Sequence, residues 1–510
     1  MRRCAWLPPL RLLCISILVI FATYYPVGYH MVVLNVPYAT FKALINNSYA
    51  ERHSDENDAL SESTLETLWS ITVSSWQIGS LFGALNAFWL ADHVGRKCTL
   101  LIIAGAFQLA GSIFMILTPQ FDVFELLIFG RFLSGISGGI VCPILHVFLS
   151  ECSPDRYRGT LNSFAGFVLA VGVVMAMALG LPLGSKEAWK LKLLLGFCLP
   201  LNVLQIIIFP LFPSTPKFLY LTKKRMKEAK ASIEYYHGQD ADVKSIFEEL
   251  EFERVLADQQ LSFFKAIRLK SVRLPLLLSI AAGISNSSIG VDLTDAYSTE
   301  LFEEMGLPDL YAQLASIMFN VFGAIGSTIS IFIIDRFCRR SLLLSTLVVC
   351  FLCNIVLIFV GAIGKYGLGG RKPSFGFGLS MAIFISIMEL AYGIGPGAIL
   401  EGLFAEISPH KVRAAAGSLC KLSYCLSNWF FVFVFPPAKL SIGAFAFLIH
   451  TIPSCLCVLY FAYYLPETSR KSVAEVAGEM MKGSKTLTKV IHEASEKSAR
   501  LAEIDGKPNK

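Results

Sequence analysis

Long apolar runs carrying few charges alternate with short polar stretches along the whole chain, and each run is long enough to cross a bilayer as a helix. The pattern predicts spans at Leu12–Leu34, Thr67–Leu90, Cys98–Leu117, Val123–Leu149, Thr160–Leu183 and Leu191–Phe212. After a polar interval it resumes at Leu274–Tyr297, Leu310–Ile334, Ser341–Ile363, Phe375–Leu403, Ala414–Pro436 and Ile442–Leu465. The polar interval itself, Pro213–Arg273, is rich in Lys and Glu and has helical periodicity over Lys223–Tyr236 and Val243–Gln259. Another short helix is expected around Thr488–Ala502 in the polar tail. The organisation is therefore residues 1–212, a cytosolic linker 213–273, residues 274–465 and a cytosolic tail 466–510.

Composition agrees with this pattern. Of 510 residues, 54% are hydrophobic and only 16% charged, with a mean hydropathy of +0.59, whereas soluble domains carry about 25% charge. The net charge of +6 is topological: most Lys and Arg fall at one set of loops and at both termini, which places those on the cytosolic side. Nucleic-acid binding is not indicated. The first external loop is acidic and carries the sequon Asn46-Asn47-Ser48, making Asn46 a glycan acceptor candidate, whereas Asn286 heads a sequon inside a span. The 13 cysteines fall in spans or on the cytosolic side, and no metal-ligand spacing is present. No metal, cofactor or catalytic constellation is expected, and the protein reads as a non-enzyme.

An internal duplication gives the strongest further signal. Asp92…Gly95-Arg96-Lys97 and Asp335…Arg339-Arg340 follow spans two and eight. Glu151 with Arg158 follows span four, and Glu406 with Arg413 follows span ten, both at seven-residue spacing. Pro213 and Pro466 close spans six and twelve. The fold expected is an all-α membrane protein of twelve transmembrane helices in two parallel six-helix repeats. Such repeats place a binding site near the midplane and work by alternating access. The repeated charges predict a cytosolic latch in which Asp92, Glu151, Glu406 and Asp335 pair with Arg96, Arg158, Arg413 and Arg339.

Polar residues inside spans are the functional candidates. Asn286, Asn320 and Asn428 offer both donors and acceptors, as a neutral hydroxylated solute requires. Glu401 and Lys421 lie at similar depth on adjacent spans, where they either pair or serve a charged solute or a proton. Histidine side chains ordinarily titrate near neutrality, which makes His30 a proton-coupling candidate, set against a role as a bonded wall residue. Asp292 and Asp295 lie toward the outer end of span seven; Asp295 is expected in a solvated vestibule, with His146 and Glu389 in local packing. Gly395-Pro396-Gly397 breaks span ten and marks a gating helix.

These motifs together resemble the sugar-porter branch of the major facilitator superfamily, close to facilitative glucose transporters. The resemblance rests on Gly28-Tyr29 with Asn35 and Pro37, Asp92…Gly95-Arg96-Lys97, Gly130-Arg131, Glu151…Arg158-Gly159, Tyr297-Ser298-Thr299…Phe302-Glu303, Gly395-Pro396-Gly397, Ala405-Glu406 and Pro466-Glu467-Thr468. It implies a solute carrier of the major facilitator fold at the plasma membrane, moving a hexose or other small polar organic molecule by facilitated diffusion. The family's sugar-binding residues imply roles for Asn286, Asp292, Asn320, Glu401 and Asn428, although Gly166, Asp292 and Glu401 replace a glutamine, an asparagine and a tryptophan. His30 stands where proton-coupled relatives often carry Asp. A proton-coupled or charged-solute porter using Glu401, Asp292 or His30 is the second reading, and a non-transporting ligand sensor the third.

Overall fold

The computed structural model describes residues 9–52, 60–185, 187–238, 242–258, 272–334, 336–364, 374–408, 412–468 and 476. Among these residues the chain is helical with no strand. The helices are α1 (Leu10–Val32), α2 (Tyr38–Arg52), α3 (Glu62–Val94), α4 (Arg96–Phe121), α5 (Phe124–Cys152), α6 (Asp155–Leu183) and α7 (Ala188–Leu211). Two helices of the polar interval follow, α8 (Met226–His237) and α9 (Val243–Asp258). Then come α10 (Arg273–Ser288), α11 (Val291–Glu304), α12 (Asp309–Ile333), α13 (Arg339–Gly364), α14 (Phe375–Ile394), α15 (Pro396–Ile407), α16 (Arg413–Ile442) and α17 (Leu448–Tyr464). All twelve predicted spans are occupied by these helices. The end carrying α2 is called outer and the end carrying α8 and α9 cytosolic, following the loop charges. The tail helix expected at Thr488–Ala502 lies outside the described residues.

The structure departs from the hydropathy pattern in three places. The acidic outer loop contains a helix, α2, which apolar periodicity does not announce. Span seven is two helices, α10 and α11, separated at Gly290, whose φ of +96° is a left-handed conformation that glycine adopts without penalty. Span ten is also two helices, α14 and α15, separated at Gly395. The carbonyl of Ile289, freed by the first break, accepts a hydrogen bond from Asn354 Nδ2 of α13 at 2.8 Å. A buried break inside a bilayer needs such a replacement partner.

Small residues bring the helices together. At the α3–α5 crossing a Cβ added to Gly135 or Gly139 would collide with the carbonyl oxygen of Trp76 or Ser80, so only glycine permits that approach. Between the two bundles, α3 packs on α16 and α6 on α12. Large apolar side chains such as Phe82, Trp89, Phe332, Phe359 and Leu456 are exposed, as expected of a surface whose solvent is lipid.

Candidate solute site and gates

The wall formed by the second bundle is built around the break in span seven. Asp292 stands in the first turn of α11, is 8% exposed, and accepts the Tyr424 hydroxyl at 3.1 and 3.2 Å from its two carboxylate oxygens. One turn along α16, Asn428 Nδ2 lies 3.4 Å from the same hydroxyl. One turn the other way, the Lys421 ammonium sits 4.7 Å from the Tyr424 ring centroid. Residues three or four apart share a helix face, so Lys421, Tyr424 and Asn428 form one stripe beside Asp292. Asn286 is buried with its Oδ1 lacking a partner. Asn320 donates to Ser316 O and to the Met177 sulfur across the bundle boundary, each at 3.3 Å.

Glu401 is exposed on α15 and makes no ion pair with Lys421. The pairing considered from their similar depth therefore does not form; the ammonium faces an aromatic ring instead, a favourable cation–π arrangement. Asp295 is buried beneath the outer closure rather than solvated in a vestibule.

On the facing bundle, the Tyr24 hydroxyl lies 3.4 Å from His146 Nε2, and His146 Nδ1 lies 3.0 Å from Asn162 Oδ1. His30 is fully buried inside the first bundle, 3.4 Å from Ser112 Oγ, which also accepts from Asn202 Nδ2 at 2.8 Å. Arg131 lies beside it and donates to the carbonyls of Thr72, Val73 and His30, each at 3.1 Å. This arginine thereby ties α5 to α3 and α1.

The outer end is closed by polar contacts that cross between bundles. Asn35 donates to Asp295 O and Ser298 Oγ at 2.8 Å and accepts from the Thr299 amide at 3.2 Å. Tyr38 donates to Glu303 at 2.5 Å. Burial and that carboxylate hold the Tyr38 phenol above its ordinary pKa, so it remains a donor. Lys42 bridges Glu66 of α3 (2.5 Å) to Glu300 of α11 (3.1 Å), while Lys439 of α16 bonds Glu300 (2.5 Å) and Glu304 (3.0 Å). Sequence reasoning treated this region as acidic loop and missed Lys42 and Lys439 as gate residues. The acidic partners of Lys42 lie 24 and 258 residues away and those of Lys439 lie 139 and 135 away, beyond any local spacing signal.

At the cytosolic end the pairs stay within each bundle among the described residues. Arg96 pairs with Asp92 (3.0 Å) and with Glu151 (3.1 Å), whose other oxygen accepts from Thr215 at 2.7 Å. Arg339 pairs with Glu406. The expected Asp92–Arg96 pair is present, and Arg96 and Arg339 additionally reach Glu151 and Glu406, which the sequence had assigned to Arg158 and Arg413. Asp335 and the side chains of Arg158 and Arg413 lie outside the described residues. Gly395, Pro396 and Gly397 form the α14–α15 junction, where a Cβ on Gly395 would strike Thr346.

Two helical bundles joined at the outer end by cross-bundle polar contacts, with the described cytosolic ion pairs lying inside each bundle, define a membrane carrier. The profile of the family described as "Sugar (and other) transporter" matches residues 15–479, and the chain belongs to that family. Among relatives, it is 28% identical over 460 residues to mouse solute carrier family 2, facilitated glucose transporter member 7, covering 89% of this chain and 87% of that one. It is 29% identical over 478 residues to member 9 from Pongo abelii, covering 93% and 82%. The fold is also that of the xylose transporter XylE from E. coli in an inward open conformation, with a TM-score of 0.74 at 17% identity over 92% of this chain and 99% of that one. The protein is thus a multi-pass major facilitator carrier working by alternating access.

Proposed function

We propose that this carrier moves a hexose or a closely similar polyhydroxylated solute down its gradient across the plasma membrane. The observation that carries the reading is the outer closure between bundles: Asn35, Tyr38 and Lys42 of the first bundle hold Asp295, Ser298, Glu303 and Glu300 of the second. The relatives named as facilitated glucose transporters support a sugar as cargo.

In this reading residues 1–212 and 274–465 are the rocking units, 213–273 is the linker and 466–510 the tail. Asn286, Asp292, Asn320, Glu401 and Asn428 contact the solute. Asp292 takes hydroxyl donors from the sugar, and Asn428 supplies both a donor and an acceptor. Asp92, Arg96, Glu151, Arg158, Asp335, Arg339, Glu406 and Arg413 latch the cytosolic end in the opposite state, and Gly395-Pro396-Gly397 bends as it opens. Asn46 carries an external glycan.

The test is uptake of labelled glucose and fructose by purified protein in liposomes, with unlabelled sugar trapped inside to score counterflow. Saturable counterflow is expected, reduced by Asp292→Asn. Binding without counterflow would leave a sensor, and no hexose binding would discard the sugar reading. The buried, exclusively hydroxyl-bonded Asp292 favours one second reading, a solute bearing a positive charge. Competition by hexosamines stronger than by hexoses would support it.

A further inference from the structure

Asp292, Asn428 and the other proposed solute contacts all lie in the second bundle, yet a carrier that alternates holds its cargo between both. Gly166 of α6 marks where the first bundle meets it. The position is exposed, and a Cβ added there would find nothing within 4 Å. Two contacts show which way this part of α6 faces. Phe164 and Phe167 stack at 6.3 Å, with Phe167 55% exposed, and belong to the lipid side. Met177, eleven residues or about three turns beyond Gly166, receives the Asn320 bond from the second bundle. Gly166 shares the Met177 face, so its open space lies between the bundles.

That space is level with the polar stripe on α16. Gly166 stands eleven residues from the cytosolic start of α6 and Tyr424 eleven from that of α16, each about 16 Å along its helix. One turn toward the cytosol from Gly166, Asn162 holds His146 of α5. Asn162 Nδ2 donates to Ser150 Oγ at 3.5 Å, which directs its Oδ1 to His146 Nδ1 at 3.0 Å. Nδ1 therefore carries the hydrogen, and in the neutral ring Nε2 is left as an acceptor. The group facing Nε2 is the Tyr24 hydroxyl of α1 at 3.4 Å, a long contact that a solute hydroxyl can replace. The Tyr24 and His146 rings meet edge-on with centroids 5.6 Å apart, so the imidazole is held from two sides. His146 itself is only half-buried.

We propose that Tyr24, His146 and the open face at Gly166 form the first-bundle half of the solute site, with Asn162 as the positioning residue for the imidazole. The proposal rests on the reading of a polyhydroxylated solute and deepens it. An ionised Asp292 on the second wall only accepts hydrogen bonds, and His146 Nε2 adds an acceptor on the first. A solute that bridges them carries hydroxyl donors on opposite edges, as a ring polyol does. The open space at Gly166 admits the body of that ring.

Fluorescence of the indole introduced by Gly166→Trp, taken as the difference from wild type, tests the placement in full-length protein in lipid. Quenching by aqueous iodide is expected, and quenching by brominated acyl chains alone would overturn the proposal. Counterflow in liposomes, with labelled glucose and labelled myo-inositol as probes, tests the contact. His146→Phe keeps a ring beside Tyr24 but removes the acceptor, so KM is expected to rise about tenfold at unchanged kcat, as for one lost hydrogen bond. His146→Gln should recover part of that loss. Asn162→Leu should raise KM on its own and change nothing further in the His146→Phe background. A fall in kcat at constant KM, with a lower unfolding midpoint, would make His146 a structural residue and overturn the proposal. Inositol counterflow that responds to His146→Phe, without glucose counterflow, would discard the sugar reading and keep this site. Counterflow of neither probe would overturn both.

Discussion

Arg131 shows how a single side chain is held by its surroundings. It is 1% exposed, and its three donors reach three carbonyls on two other helices. A buried donor or acceptor left without its partner costs about 1–3 kcal/mol. Arg131→Met is therefore expected to destabilise the first bundle by several such increments, seen as a lower unfolding midpoint in detergent. Tyr424→Phe makes a more local change: Asp292 loses its hydroxyl donor while the ring under Lys421 remains. The expected result is weaker solute binding, with KM raised about tenfold, one lost hydrogen bond to a charge being worth about 1.5–3 kcal/mol. A fall in kcat at constant KM would contradict it. Asp292 was legible from its span, because a carboxylate in an apolar run is costly wherever it lies. Tyr424 was not, because an aromatic residue in a span reads as core or lipid contact until α11 is seen beside it.

At the scale of elements, apolar run length located every span, since bilayer thickness sets a length that sequence alone can satisfy. The breaks were read unevenly. Gly395-Pro396-Gly397 announced itself through proline, whereas Gly290 looked like any other small residue in a span. Its φ of +96° and the open space beside it, with Asn354 Oδ1 3.6 Å from an added Cβ, separate conformational from steric cost. Gly290→Ala is expected to lose about 1–2 kcal/mol from backbone conformation, measurable as a lower midpoint with the fold retained. Gly135→Ala is a different case: its Cβ meets the Trp76 carbonyl, and overpacking typically costs 1–3 kcal/mol. Here α3 and α5 must separate, so loss of folded protein on size exclusion is the expected outcome.

At the scale of the whole molecule, the outer Lys–Glu cluster ties the two bundles together at the closed end. Lys42 contacts both bundles, and removing it leaves Glu66 and Glu300 facing each other without their shared cation. Lys42→Met should shift the population toward outer-open forms, raising hydrogen exchange in α2 and α11 but not in α8. Unchanged exchange would mean that the Asn35 and Tyr38 bonds suffice for closure. The sequence by itself determined the number of spans, the duplication and the family, because chain-local hydropathy and repeated charge order survive without coordinates. It also identified Asp292, Glu401 and the cytosolic charges as chemistry worth watching. Only the tertiary structure decided their partners: Glu151 for Arg96, an aromatic ring for Lys421, and burial for Asp295 and Glu389. Those choices depend on which helix faces meet across two bundles, and such meetings arise from packing between residues up to 260 or more positions apart, as in the contacts of Asn35 with Asp295 and Ser298.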